Sequence, residues 1–208
     1  MVNVGAGTGS YESASRTTVA VELARTMIDQ RDPGVAVVQA GAEAMPFVDG
    51  AFDAATAFIT IHHWTDWRAG LREMRRVAPR VLLLGIDLRV MEKCWLVADY
   101  FPQFDASNDP VSVTDAADEL DGARVIAIPT PHDCADGFFM AYWRRPEAYL
   151  DPAVRACISG LARATAEELQ PGLTKLAADL KSGAWRERYA DLLERETLDT
   201  GMRLIVAG

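Results

Sequence analysis

The chain has 208 residues, 50% of them hydrophobic, and a formal net charge of −9 at pH 7. That length suits a single domain over 1–208 with a substantial core, and the acidic balance excludes the sequence-independent nucleic-acid binding that depends on basic patches. No stretch is long and apolar enough to span a bilayer and no secretory signal opens the chain, so a cytoplasmic protein with neither membrane nor nucleic-acid partners is expected.

Val2-Asn3-Val4 reads as the end of a buried strand, and Gly5-Ala6-Gly7-Thr8-Gly9 follows at once. A short helix is expected at Ser10 to Ser15, then a second apolar run, Thr18–Val21, closed by Glu22. Strand, glycine loop, helix, strand and acid make a nucleoside-binding unit. Glycines let backbone groups approach a ligand without interference from a Cβ, and the acid can accept hydrogen bonds from two ribose hydroxyls. Further apolar runs at Ala36–Gln39, Ala54–Thr60, Val81–Ile86, Val125–Ile128 and Leu204–Ala207 predict five more strands, as parallel strands covered on both faces should read. Asp66 precedes a helix through Val77, with Leu71, Met74 and Val77 on one face. Strands alternating with helices give an α/β fold, a doubly wound, seven-stranded, mostly parallel sheet.

Before the last strand the alternation stops. Val154, Cys157, Ile158 and Leu161 recur at helical spacing, as do Leu173, Leu176 and Leu180, and Pro171-Gly172 and Ser182-Gly183 punctuate them. A helical insertion over 138–196 is expected there. Cys94, Cys134 and Cys157 are widely spaced without C-x-x-C geometry, so they read as free thiols and no metal site is expected. Trp64, Trp67, Trp95, Tyr100, Phe101, Phe104, Phe138, Phe139, Tyr142 and Trp143 follow strands four, five and six. Each is expected in the core; together they weakly favour a small, partly apolar substrate.

The glycine spacing discriminates between ligands. A dinucleotide fold wants G-x-G-x-x-G, with glycine where Ser10 stands. The pattern here is G-x-G-x-G after V-N-V, which resembles motif I of the class I S-adenosylmethionine (SAM) methyltransferases. Ala42-Glu43-Ala44-Met45-Pro46-Phe47, Asp49-Gly50-Ala51-Phe52-Asp53 and His62-His63-Trp64-Thr65-Asp66 are similar, in order and near spacing, to the A-E-x-L-P-F, D-G-x-F-D and H-H-W-x-D blocks of the type 11 methyltransferase-domain subgroup. The resemblance is strong from Val2 to about Leu88.

It implies strand order 3-2-1-4-5-7-6 with the last strand antiparallel, and SAM as cofactor. Gly5, Ala6 and Gly7 would meet the methionine end, with Gly9 leading into a helix whose N-terminus faces the cofactor carboxylate. Asn3 stands where the family carries an acid. Glu22 would hold the ribose, Leu23 and Met27 the adenine, and Thr60 and Ile61 the methionine end. Gly41 replaces the family's adenine-binding Asp, leaving Ala42 and Glu43 for that role. His62 and His63 fall at the carboxyl end of the fourth strand, where ligands sit in such sheets. One of the two should face the cleft and serve as a base where the acceptor has a proton to lose. His132, beside Asp133, is a candidate for orienting the acceptor. Family members carry some tens of residues ahead of the first strand, so their usual N-terminal segment, a cover over cofactor and acceptor, is expected to be lacking here. The expected function is methyl transfer to a small molecule, giving S-adenosylhomocysteine (SAH). The alternatives are a SAM- or SAH-binding protein without turnover and, against the glycine spacing, an NAD(P)-dependent oxidoreductase. Nothing in the sequence fixes the acceptor or the oligomeric state.

Overall fold

The computed structural model describes residues 1–12, 15–108 and 111–208. They fall into two compact units, one of Met1–Asp87, Pro110–Ala127 and Arg203–Gly208, the other of Leu88–Asp109 and Ile128–Met202.

The first unit is built on a sheet. Strands β1 (Val2–Val4), β2 (Val19–Glu22), β3 (Ala36–Gln39), β4 (Ala55–Phe58) and β5 (Val81–Ile86) pair in parallel where adjacent: β1 with β2 and β4, β2 with β3, and β4 with β5. Their apolar runs explain the choice: a parallel strand buried on both faces has no polar side to alternate. Between β2 and β3 lies a single helical turn, α1 (Arg25–Ile28). Helix α2 (Trp67–Val77) starts where Asp66 accepts a hydrogen bond from Ala69 N at 2.9 Å, and stops at Ala78, whose extended backbone precedes Pro79. Its Leu71, Met74 and Val77 are buried against Val4, Ala57 and Leu83 of the sheet core.

The second unit opens with the short helix α3 (Leu88–Met91) and a π-helical turn at Leu96–Tyr100. Returning to the first unit, helix α4 (Val113–Glu119) precedes β6 (Arg124–Ala127). In the second unit β7 (Thr130–Pro131) is followed by the helices α5 (Pro152–Ala156), α6 (Ser159–Arg163), α7 (Ala166–Ser182), α8 (Ala184–Arg188) and α9 (Ala190–Leu193), then β8 (Thr197–Leu198). β7 and β8 form a small antiparallel sheet of their own, which the apolar runs do not announce. The last strand is β9 (Met202–Ala207), antiparallel to β6. The large sheet thus has the order β3-β2-β1-β4-β5-β9-β6, the order implied by the resemblance, with helices inserted before the last strand. Because β2 and β3 lie to one side of β1 and β4 to the other, the β1/β4 border is the topological switch point, beyond whose carboxyl ends such folds bind ligands.

Three local expectations are corrected. The helix expected at Ser10 to Ser15 does not form among the described residues: Ser10–Glu12 turn, with Gly9 N bonded to Ala6 O and Glu12 N to Gly9 O. Ser13 and Ala14 lie outside the described residues. The fourth strand ends at Phe58 instead of Thr60. Pro171-Gly172 does not punctuate, because α7 runs through it, started by a Thr165/Glu168 capping box and ended by left-handed Gly183. Gly172 serves packing: a Cβ there would stand 2.1 Å from Tyr100 O and 2.6 Å from the Phe101 ring. The expected aromatic core forms in part: Trp95, Tyr100, Phe101, Phe139 and Trp143 are buried, whereas Trp64, Trp67, Phe104, Phe138 and Tyr142 are only partly so. Tyr149 and Trp185 are buried as well, with Trp95 packed edge-on against Tyr100, Tyr149 and Trp185.

Two predictions arise from this unit. Gly172→Ala should destabilise the protein by about 1–3 kcal/mol, since the obstruction is backbone and cannot swing away; the denaturant midpoint measures it. The second concerns alkali. Burial raises the phenol pKa of Tyr149, of Tyr100 with help from its hydrogen bond to Asp179, and of Tyr189, pushed up to about 12. Below about pH 10 both folded and unfolded chains keep these protons, so stability is unaffected. Above it only the unfolded chain releases them, and stability falls as pH rises, by up to about 1.4 kcal/mol per pH unit for fully buried Tyr149 alone. Tm measured from pH 9 to 12 should drop steeply, and less steeply in Tyr149→Phe.

Candidate active site

The carboxyl end of β1 runs straight into the glycine loop, whose three glycines differ in what they face. Gly5, Gly7 and Gly9 all take positive φ (66°, 54° and 98°), which side chains resist. A Cβ on Gly5 would lie 2.1 Å from Thr60 Oγ1, so protein fills that space. A Cβ on Gly9 would lie 3.3 Å from the Arg31 guanidinium. Among the described residues, nothing lies within 4 Å of the Cβ position of Gly7.

Glu22, at the end of β2, meets this open position. Its Oε2 accepts from Gly7 N at 2.7 Å and its Oε1 from Ala24 N at 2.8 Å. Two backbone donors fix the carboxylate, and each oxygen retains a lone pair for a further donor. Leu23 and Met27 follow, 64% and 43% exposed. Neither belongs to the core, so two large apolar side chains stand free beside an oriented acid.

Three of the loop's donors are spent internally: Ala6 N on Val21 O, Gly7 N on Glu22, Gly9 N on Ala6 O. Its carbonyls meet Arg31, whose Nη1 lies 2.8 Å from Gly7 O and 3.4 Å from Ala6 O. Arg31 Nη2 reaches both oxygens of Glu12, at 2.5 and 2.6 Å, and Asn3 Nδ2 lies 3.5 Å from Glu12 Oε1. Sequence reasoning missed both residues. Arg31 sits in the run Asp29-Gln30-Arg31-Asp32, which reads as a solvated face, and only the glycine at position 9 hints that something bulky lies against it.

The end of β4 supplies the opposite border. Ile59 has φ 51°, a left-handed conformation that strains a β-branched residue. It turns the chain so that Thr60 packs on Gly5 and Ile61–His63 forms a 3-10 turn. Thr60 is buried, while Ile61 joins the hydrophobic core. Strand alternation therefore does not govern His62 and His63. Their rings lie together, centroids 4.0 Å apart, with His62 half-buried and His63 exposed. His132 belongs to the other unit, where its Nε2 lies 3.2 Å from Glu196 and not on neighbouring Asp133.

The remaining motif residues are tied to one another. Ala42 is buried, and Glu43 Oε1 accepts from Thr65 N and Asp66 N at 2.9 and 3.2 Å. Its Oε2 stands 2.8 Å from where a Cβ on Gly41 would be. The Glu43 carboxylate thus occupies the space a side chain at position 41 would take. Gly70 leaves room for the Trp64 ring, which a Cβ would meet at 2.4 Å. Arg76 binds the carbonyls of Met45 and Phe47 and the carboxylates of Asp49 and Glu73. Its hydrogen bonds hold the Glu73 carboxyl below its ordinary range.

Comparison with known proteins agrees with this geometry. The profile of a family described as "Methyltransferase domain" matches residues 2–80. The ubiquinone/menaquinone biosynthesis C-methyltransferase UbiE of Stenotrophomonas maltophilia (strain K279a) is 44% identical over 68 residues, which are 33% of this chain and 25% of that one. The chain thus matches about a quarter of the length of such curated relatives. A crystal structure assigned to a methyltransferase of an antibiotic biosynthesis pathway in Anabaena variabilis ATCC 29413 is 31% identical, with a TM-score of 0.91 over 100% of this chain and 89% of that chain. The [4+2]-cyclase SpnF, 16% identical with a TM-score of 0.51 over 100% of this chain and 75% of that chain, shares the fold alone. With the sheet order, the glycine loop and its acid, and a full-length relative above 30% identity, the chain belongs to the class I SAM-dependent methyltransferases.

Proposed function

We propose that this protein methylates a small molecule, with SAM held between the glycine loop and Glu22. The observation that carries the reading is the open position over Gly7 beside an oriented carboxylate and two exposed apolar side chains. These residues fit the cofactor. The free lone pairs of Glu22 take the ribose hydroxyls, and Leu23 and Met27 cover the adenine. Glu43 Oε2, standing in the place of a side chain at position 41, takes the adenine amine beside Ala42. Gly5, Ala6, Gly7 and Gly9, with Thr60 packed against Gly5, shape the methionine end; Asn3 and Ile61 support that wall from the buried side. SAM supplies an electrophilic sulfonium methyl group when bound.

The chain's task is then to hold an acceptor in line and keep water away, and positioning of this kind is worth up to roughly 7–11 kcal/mol. His62 and His63 follow Thr60 directly. The exposed ring of His63 is the better placed to take a proton from the acceptor, with His62 packed against it. Among the described residues no helix is long and apolar enough to cross a membrane, and the free thiols of Cys94, Cys134 and Cys157 support a reducing, cytoplasmic setting.

SAH at 100 times its Kd should stabilise the protein by about 2.7 kcal/mol. Glu22→Ala should cost about 2 kcal/mol of SAH affinity, roughly thirtyfold, with Glu22→Gln losing less because it keeps the side chain's length. Titration calorimetry on folded protein decides: equal affinity for parent and Glu22→Ala removes Glu22 from the site. Methyl transfer to a panel of small acceptors from labelled SAM tests the substrate class, and label appearing only in added macromolecules would overturn it.

A further inference from the structure

We infer that Arg31 and Glu12 form a clamp that positions the glycine loop for its cofactor, so that Arg31 is a positioning residue for the reaction although its own partners are all protein. The inference rests on the cofactor reading above.

One peptide unit, between Ala6 and Gly7, connects Arg31 to Glu22. The carbonyl of Ala6 lies 3.4 Å from Arg31 Nη1 and the N–H of the same peptide, on Gly7, donates to Glu22 at 2.7 Å. The following carbonyl, Gly7 O, takes Arg31 Nη1 at 2.8 Å. A cation at the carbonyl end and a carboxylate at the N–H end oppose rotation of that peptide plane. Glycine itself supplies no such resistance, since both signs of φ are open to it. Ala6 O also takes Gly9 N at 3.0 Å, so loss of the cation would loosen this peptide and free the next carbonyl, Gly7 O, and a looser plane would weaken the hold of Gly7 N–H on the acid that orients on the ribose. Arg31 is thus linked to Glu22 through a single peptide.

The surroundings show that the guanidinium is built in. The side chains of Arg31 and Glu12 are only 5% and 8% exposed. Burying an ion pair costs desolvation and gives little net stability, so its presence asks for another reason. Arg31 Nε is buried without a partner, and the charge is placed to suit the loop at the expense of its own satisfaction. The fork geometry of arginine is what the site uses, one nitrogen on the carbonyls and the other on both oxygens of Glu12. Lysine could not serve both. Gly9 leaves room for that fork. Glu12 also reaches Asn3, which Thr56 Oγ1 meets at 3.4 Å, so the clamp is anchored on β1 and β4. An acid therefore does stand at this loop, contributed by Glu12 where position 3 carries only an amide.

The test is a set of four variants: Arg31→Met, Arg31→Lys, Glu12→Gln, and the charge swap Glu12→Arg/Arg31→Glu. Each is measured for Tm, for SAH affinity by calorimetry below its own melting range, and for amide hydrogen exchange at Gly7 and Gly9. The clamp predicts at least a tenfold loss of SAH affinity in Arg31→Met and faster exchange at Gly7, with Arg31→Lys intermediate. The swap is decisive, because it restores an ion pair but leaves the carbonyls of Ala6 and Gly7 without a donor from residue 31. Recovery of Tm without recovery of affinity supports the clamp, whereas recovery of both shows an ordinary ion pair and overturns it. If the swap does not fold, the comparison of Arg31→Lys with Arg31→Met decides, and affinity within twofold of the parent in folded Arg31→Met overturns the proposal. If the parent binds no SAH, the cofactor reading fails. The clamp is then judged by exchange alone, and unchanged exchange at Gly7 in Arg31→Met sinks it.

Discussion

The close packing of Gly5 on Thr60 is the contact on which the rest of the site depends. It joins the ends of β1 and β4, the two strands on either side of the switch point, at a distance that only a residue without a Cβ allows. Two costs are accepted to make it. Gly5 takes a left-handed conformation, and Ile59, a β-branched residue, takes another immediately after the strand. Strain of that kind persists only where surrounding structure enforces it. Here Ile59 N is held by Leu84 O of β5 at 2.8 Å and Thr60 is closed in by the loop. Two residues further along the loop, Gly7 has open space at its Cβ position among the described residues, and its N–H is held by Glu22.

The motifs that mark the family divide into two kinds. Glu22 and the glycine loop have unused hydrogen-bonding capacity or open volume. Apart from Glu43 Oε2, the A-E-A-M-P-F and D-G-A-F-D blocks have little of either. Asp49 and the Met45 and Phe47 carbonyls converge on Arg76, Gly50 N and Phe52 N bond to Arg76 O and Val77 O, and Phe47 packs edge-on against Phe52 at 4.9 Å. These blocks fasten the segment between β3 and β4 to the end of α2. Glu73, held ionised by Arg76, belongs to the same fastening, so its contribution is present at neutral pH and lost as acid reprotonates it. A likeness built largely on such residues speaks to fold more than to reaction. The shared fold of a [4+2]-cyclase makes the same point. The reaction has to be argued from the loop, its acid and the turn after β4.

The strands were legible because burial on both faces leaves continuous apolar runs, and the position of Glu22 was legible because it closes such a run at the strand's end. The start of α2 was legible because Asp66 caps it. What the sequence hid has a common cause, long-range contact. Gly5, Gly7 and Gly9 look alike in the sequence and differ in which distant residue among those described lies over each: Thr60 over Gly5, Arg31 over Gly9 and none over Gly7. Arg31 and Glu12 sit in polar stretches whose local reading is solvent. Pro171 suggested a break, yet α7 continues through it because Gly172 packs on Tyr100 and Phe101, some seventy residues earlier in the chain. His62 and His63 were read by strand alternation, and the strand had already ended.

The bonding within the loop also bears on which nucleoside it suits. A pyrophosphate is recognised by free N–H groups and by the N-terminus of a helix. Here the N–H groups of Ala6, Gly7 and Gly9 are all taken by the chain itself, and the described residues that follow the loop turn without forming a helix. The nearby charged groups compensate each other, Arg31 with Glu12, while each Glu22 oxygen keeps a lone pair beyond its backbone donor. Those three N–H groups are withheld from an anion, and the Glu22 carboxylate suits a ligand whose neighbouring groups are donors, as the ribose hydroxyls of SAM are. The hydrogen bonds already made within the loop thus agree with the glycine spacing, in which Ser10 stands where a dinucleotide loop has its third glycine.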